Sequence, residues 1–197
     1  MPKTYSDKEK EHIIKRLKEE AADCLALYGV KKTTVDELVK RVNIPKGTFY
    51  LFYSSKELLL FDVINDLHNN IQSKFLNEVN SSQGKFSCDE LSNLLFEIFK
   101  KVDGTCLLNI MTNGDLELLM RKLPNEIVKE HLHHDNGIME QLIASIPQAK
   151  DKNIEFYSGA MRGIFLTMLH KREIGDEIFD DSLKLLIKGL VIQLMEE

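Results

Sequence analysis

Between positions 8 and 28 the apolar residues Ile14, Leu17, Ala21, Cys24, Leu25 and Tyr28 recur at steps of three and four. Lysines and glutamates fill the positions between them, which places one apolar stripe along one side of a helix. The pattern predicts an amphipathic helix over 8–28, closed at Gly29, a residue suited to the left-handed conformation that ends many helices. A second helix is signalled by Thr34-Val-Asp-Glu37. In this capping-box spacing the threonine oxygen satisfies an early amide and the glutamate reaches back to the cap. Val35, Leu38, Val39 and Val42 form its apolar face. Asn43 is a left-handed terminator, and Pro45 suits the first turn of a short third helix, where its missing N–H has no intrahelical partner. Two short helices separated by roughly three residues, with a longer one in front, make the pattern of a helix-turn-helix, whose second member enters the DNA major groove.

In the third helix, Phe49 and Tyr53 lie four apart and anchor it against the first two, leaving Lys46, Gly47, Thr48 and Tyr50 outward. Gly47 lets a phosphate or groove wall approach the backbone. Lys46, Thr48, Tyr50 and Lys56 are candidate phosphate contacts, which fix register without reading sequence. Leu51 has at most a thymine methyl to touch.

The run GVKKTTVDELVKRVNIPKGTFYLFYSSKELL, residues 29–59, resembles the DNA-binding signature of the tetracycline-repressor (TetR) family of transcriptional regulators. The shared features are a capped second helix, the turn, Gly-Thr-aromatic-Tyr, a further aromatic, and Ser-Lys-Glu-x-Leu. Three positions depart from that pattern: Asn43 stands where glycine is usual, Pro45 where serine is common and Tyr53 where phenylalanine is common. The resemblance implies that Thr34, Lys46, Thr48, Tyr50 and Lys56 meet the DNA backbone or its surroundings.

Beyond Ser55, Leu58, Leu59, Phe61, Val63, Ile64, Leu67, Ile71 and Phe75 predict a long helix to about Val79, and NSSQGKFS (80–87) reads as a loop. Helical patterns resume with LSNLLFEIFKKV, and Gly104, Gly114, Pro124, Gly137, Pro147 and Gly175 divide the remainder into about five helices. No strand alternation competes. The expected fold is therefore all-α: a three-helix DNA-binding domain over 1–55, then a helical effector-binding and dimerisation domain over 56–197.

The resemblance also implies roles for that second domain. Its last two helices pair with those of a second copy, which assigns Met161, Ile164, Phe165, Met168, Leu183, Leu186 and Leu190 to a homodimer interface. A small-molecule cavity among the middle helices draws on Phe96, Phe99, Met111, Met120, Met139, Phe156 and Tyr157, with His68 or Asn109 as polar contacts. Together these make the expected protein a dimeric repressor on a palindromic operator, released by an effector. A helical module for an effector or partner protein that never reads specific DNA is the alternative.

Charge sharpens the division. The whole chain carries a formal −5, yet residues 1–56 hold twelve Lys/Arg against eight Asp/Glu, a local +4, and the remainder is −9. A chain of this sign does not coat nucleic acid over its whole surface, but its N-terminal part attracts a polyanion.

The chemistry of the remaining residues is sparse. Cys24, Cys88 and Cys106 are odd in number and widely spaced, without a CxxC pair, so a reducing interior fits best. The N-terminus has no apolar signal core and no long apolar run follows, which makes a cytoplasmic, non-membrane protein the expectation. His131, His134 and Asp135 share a helix face that invites a metal, but with His133 they fit a solvated helix end better. No cofactor is expected. No nucleophile–base set, phosphate-cradling loop or HExxH motif occurs, so an enzyme is not expected.

Overall fold

A capping box opens the chain's first helix: Ser6 Oγ accepts from the Glu9 amide, and the Glu9 carboxylate accepts from the Ser6 amide at 2.8 Å. The computed structural model describes residues 5–81, 85–103, 106–144, 146–149 and 151–196; among these, the side chains of 75, 80, 106, 107, 109, 132–139, 141 and 142 lie outside the description. All regular secondary structure among the described residues is helical, without a strand. In order they form α1 (Asp7–Lys32), α2 (Val35–Val42), α3 (Lys46–Phe52), α4 (Lys56–Ser81), α5 (Cys88–Val102), α6 (Cys106–Thr112), α7 (Asp115–Met120), α8 (Asn125–Ala144), α9 (Ile154–Thr167), α10 (Lys171–Ile174) and α11 (Phe179–Met195).

The predicted stop at Gly29 is a break inside α1 rather than its end: Gly29 takes φ 72°, and a last turn continues to Lys32. The buried face of α1 is Ile13, Leu17, Ala21, Cys24, Leu25 and Val30. Tyr28, assigned to the apolar stripe by its spacing, is instead 45% exposed. Its hydroxyl accepts from Arg41, whose guanidinium lies 5.8 Å from the ring centroid, an amphipathic arrangement that periodicity alone does not distinguish from core.

Thr34 caps α2 by accepting from the Glu37 amide at 3.2 Å. The reciprocal half of that box is replaced, because Glu37 Oε1 accepts from Arg41 Nε at 2.7 Å. Asn43 ends α2 in the left-handed conformation, φ 58° and ψ 49°, as its short polar side chain permits. Pro45 caps α3 rather than occupying its first turn.

The chain divides into two compact units, one of residues 1–68 with 109–124 and the other of 69–108 with 125–197. In the first, α1 packs on α2 and on α7, and α2 packs on α3. Leu17, Leu38, Phe49, Leu59 and Leu60 are fully buried there. Lys18 Nζ bridges Asp62 and Asp66 of α4 at 2.9 and 2.8 Å. In the second, α5 and α9 both pack on α11, and α8 packs on α9. Their core gathers Leu91, Leu95, Phe99, Met161, Phe179, Leu183, Ile187, Val191 and Leu194. Around its edge Lys100 holds Asp180 at 2.9 Å and Lys171 holds Asp103 at 2.8 Å.

Candidate nucleic-acid interface

The third helix is anchored by aromatics, as its sequence predicts. Phe49 is completely buried, and its ring meets that of Tyr53 at 6.2 Å. The Tyr53 hydroxyl donates to Asp62 of α4 at 2.7 Å. Burial of the phenol, with Asp62 beside it, pushes the Tyr53 pKa upward, so it stays a donor at any ordinary pH. Phe52 faces inward too, 6.4 Å from the ring of Tyr5.

With 49 and 52 turned in, α3 presents Lys46, Gly47, Tyr50 and Leu51 as one contiguous outward strip, since residues one, four and five apart share a side of a helix. Tyr50 is 50% and Leu51 67% exposed. A Cβ added at Gly47 would meet nothing within 4 Å, so the strip is flat there. Lys46 Nζ is held 2.8 Å from Asp36 Oδ1, a bridge from α3 back to α2. The hydrogen bond to that carboxylate raises the lysine pKa, so the charge is fully present.

Two further candidates lie elsewhere than their spacing suggests. Thr48 is 6% exposed, with Oγ1 3.1 Å from the Tyr5 hydroxyl. It faces inward because it follows Lys46 by two positions, about 200° round the helix. Lys56 is half-buried and donates to the carbonyls of Val30 at 2.8 Å and Thr33 at 2.6 Å. Burial depresses its pKa. Thr34 is exposed, its oxygen committed to the α2 cap. Sequence reading missed Tyr5 and Asp115 entirely. Asp115 Oδ2 accepts from the Val30 amide at 2.9 Å from 85 positions away, a separation that leaves no local signal.

In the second unit, Phe96, Phe99 and Tyr157 pack with the core, Phe99 edge-on to Phe165 at 5.8 Å. The Tyr157 hydroxyl donates to the Gln193 carbonyl, and Phe156 is 72% exposed. His68, Met111 and Met120 are half-buried in the first unit, while the side chains of Asn109 and Met139 lie outside the described residues. Of the proposed interface residues, Met161, Met168 and Leu183 are buried within their own chain, Ile164, Phe165 and Leu190 are half-buried, and Leu186 is 46% exposed. His131 is half-buried, and the side chains of His133, His134 and Asp135 lie outside the described residues. Among the described residues no three His, Cys, Asp or Glu side chains converge to hold a metal. No described helix is long and apolar enough to cross a membrane.

A capped α2, a left-handed Asn43 turn and an aromatic-anchored α3 with one outward strip coincide with residues 17–63, which match the family model for bacterial regulatory proteins of the tetR family. Residues 17–63 are thus similar to the DNA-binding part of tetR-family regulators. Over 70 residues the chain is 37% identical to the Bacillus subtilis (strain 168) protein YuxN, described as an uncharacterized HTH-type transcriptional regulator. That alignment covers 36% of this chain and only 23% of YuxN. Among solved structures, Bacillus subtilis FadR in complex with stearoyl-CoA superposes with a TM-score of 0.63 at 16% identity, over 92% of this chain and 97% of that one. Thermus thermophilus FadR in complex with lauroyl-CoA gives 0.60 at 16%, over 93% and 96%. At such identities these structures establish a shared fold.

Proposed function

We propose that this chain is a homodimeric transcriptional repressor of the TetR family in the cytoplasm, seating α3 in the major groove of a palindromic operator and leaving it when a small molecule binds. The observation that carries the reading is the outward strip Lys46, Gly47, Tyr50 and Leu51 on a helix held rigid from behind. Lys46 supplies charge to a phosphate, Tyr50 a hydroxyl, Gly47 close approach, and Leu51 apolar contact to a thymine methyl. Residues 1–55 are the reading part and 56–197 the effector-binding and dimerising part.

Dimerisation is supported by apolar residues left exposed on α9 and α11. Phe156, Leu166, Leu185 and Leu186 are 72, 49, 74 and 46% exposed, and steps of three, four or seven join them to Gly163 and Gly189. No Cβ at either glycine would meet an atom within 4 Å, so a second copy can approach closely. Ile164, Phe165 and Leu190 border this face. Two copies place two recognition helices on half-sites about 34 Å or a multiple apart, and linking the two binding events raises affinity beyond that of one short helix.

The effector is a small molecule with an apolar body. Phe96, Phe99 and Tyr157 of the second unit are its proposed contacts. Ser158 adds a hydroxyl, 1% exposed and without a hydrogen-bond partner among the described residues, which a ligand polar group would satisfy. The two FadR structures hold acyl-CoA thioesters, which makes that class the first to test. Recovering genomic fragments bound by the purified protein tests the reading: a shared two-fold symmetric sequence supports it, and fragments with no common symmetric element refute it.

A further inference from the structure

The turn between α1 and α2 is held by side chains from two distant places in the first unit. The Asp115 carboxylate, at the first position of α7, accepts from the Val30 amide at 2.9 Å. Lys56, at the start of α4, donates to the carbonyls of Val30 and Thr33. Thr33, completely buried, donates from its hydroxyl to the Gly29 carbonyl at 2.7 Å. Gly29 stands at φ 72°, and a Cβ there would overlap Asp115 Oδ2. The carboxylate therefore occupies the space that a side chain at position 29 would fill.

We infer that Asp115 is a positioning residue for DNA binding: its carboxylate, with Lys56 opposite, fixes the α1–α2 turn and so the direction in which α2 and α3 leave α1. Only Thr33 and Thr34 separate α1 from α2. Eight residues of α2 span about 12 Å. A change of about 10° at the turn thus displaces the start of α3 by about 2 Å, well outside hydrogen-bonding tolerance to a groove fixed by phosphates. The segment 109–124 that carries Asp115 joins the first unit while its chain neighbours on both sides belong to the second. Asp115 accordingly makes DNA affinity depend on a segment remote in sequence from the reading helices. This inference rests on the proposed DNA-binding function.

Electrostatics and positioning predict opposite signs. Removing a carboxylate raises the charge of the DNA-facing unit by one and by itself tightens binding to a polyanion. Loss of positioning weakens it. In full-length protein titrated with its recovered operator, Asp115→Ala is expected to bind at least about tenfold more weakly at fixed salt, with the salt slope unchanged because no phosphate contact is lost. Asp115→Asn keeps an acceptor for Val30 and is expected to stay within about threefold of wild type. Affinity equal to or above wild type for Asp115→Ala overturns the inference. Should that variant fail to fold, Lys56→Met carries the test, with the same loss and unchanged slope expected and unchanged affinity overturning it. Amide hydrogen exchange gives a reading independent of DNA. Asp115→Ala is expected to speed exchange over residues 30–42 and leave the second unit unchanged; unaltered protection of α2 overturns the inference. A wild-type protein that binds no duplex sinks the proposed function instead, and the exchange result still decides the role of Asp115.

Discussion

The Tyr5 hydroxyl sits 3.1 Å from Oγ1 of Thr48, joining the residue before the first helix's cap to the inner side of the recognition helix across 43 positions. Tyr5 also stacks obliquely on Phe52. Tyr5→Phe keeps the ring and removes one partner of a buried hydroxyl, so it is expected to destabilise the protein by about 1 kcal/mol in urea unfolding. An unchanged midpoint would show that the Tyr5 hydroxyl makes no net contribution.

Lys46 is shared between Asp36 and the outward strip. Lys46→Ala is expected to weaken binding to related DNA sequences about equally and to reduce the slope of log K against log salt by about 0.9. Titrations at several salt concentrations check this, and an unaltered slope removes Lys46 from the phosphate contacts. Asp36→Asn acts in the other direction. It frees the ammonium and deletes a negative charge beside it, so binding tightens, most at low salt.

The exposed faces of α9 and α11 are tested by charge. Leu185→Glu places a carboxylate on a residue that is 74% exposed in one subunit, where it costs the monomer little. At a two-fold interface the same charge is desolvated and faces apolar surface. Sedimentation is expected to show a monomer with unchanged helical circular dichroism, and a persisting dimer would place the interface elsewhere.

Acid sensitivity follows from Asp103. Its hydrogen bond with Lys171, and less strongly with Lys100, holds its pKa below the ordinary carboxylate value. A carboxylate depressed by folding stabilises above its unfolded pKa, and that stabilisation is lost as pH falls through the folded pKa. Asp103→Asn is therefore expected to be less stable than wild type at pH 6, with the gap closing below about pH 4. Thermal unfolding at falling pH measures it; a gap that does not narrow at all below pH 4 would assign the loss to packing.

Much of this architecture is written locally. Thr34, Asn43 and Pro45 announce α2 and α3 because caps and left-handed turns are decided by one or two side chains. Phe49 and Tyr53 lie four apart and are anchors for that reason. Serines and glutamates at 6 and 9, and at 87 and 90, spell the capping-box signal as plainly as Thr34 and Glu37, and the structure forms both boxes. The long-range partners were not legible. Nothing near Lys56 distinguishes a lysine aimed at a phosphate from one turned onto the Val30 and Thr33 carbonyls. Thr48 reads as polar and outward until Tyr5 is seen over it. Apolar stripes on α9 and α11 likewise do not reveal which edge faces the chain's own core: Met161 and Leu183 turn in, Phe156 and Leu185 turn out.

Competition on a duplex carrying the recovered inverted repeat tests the central claim most directly. With wild-type protein bound, unlabelled scrambled DNA is expected to displace it at least a thousandfold less effectively than the same repeat, as a specific complex requires. Two chains are expected per duplex. Equal displacement by both competitors, or a single chain on the repeat, would contradict a paired presentation of α3 to the major groove.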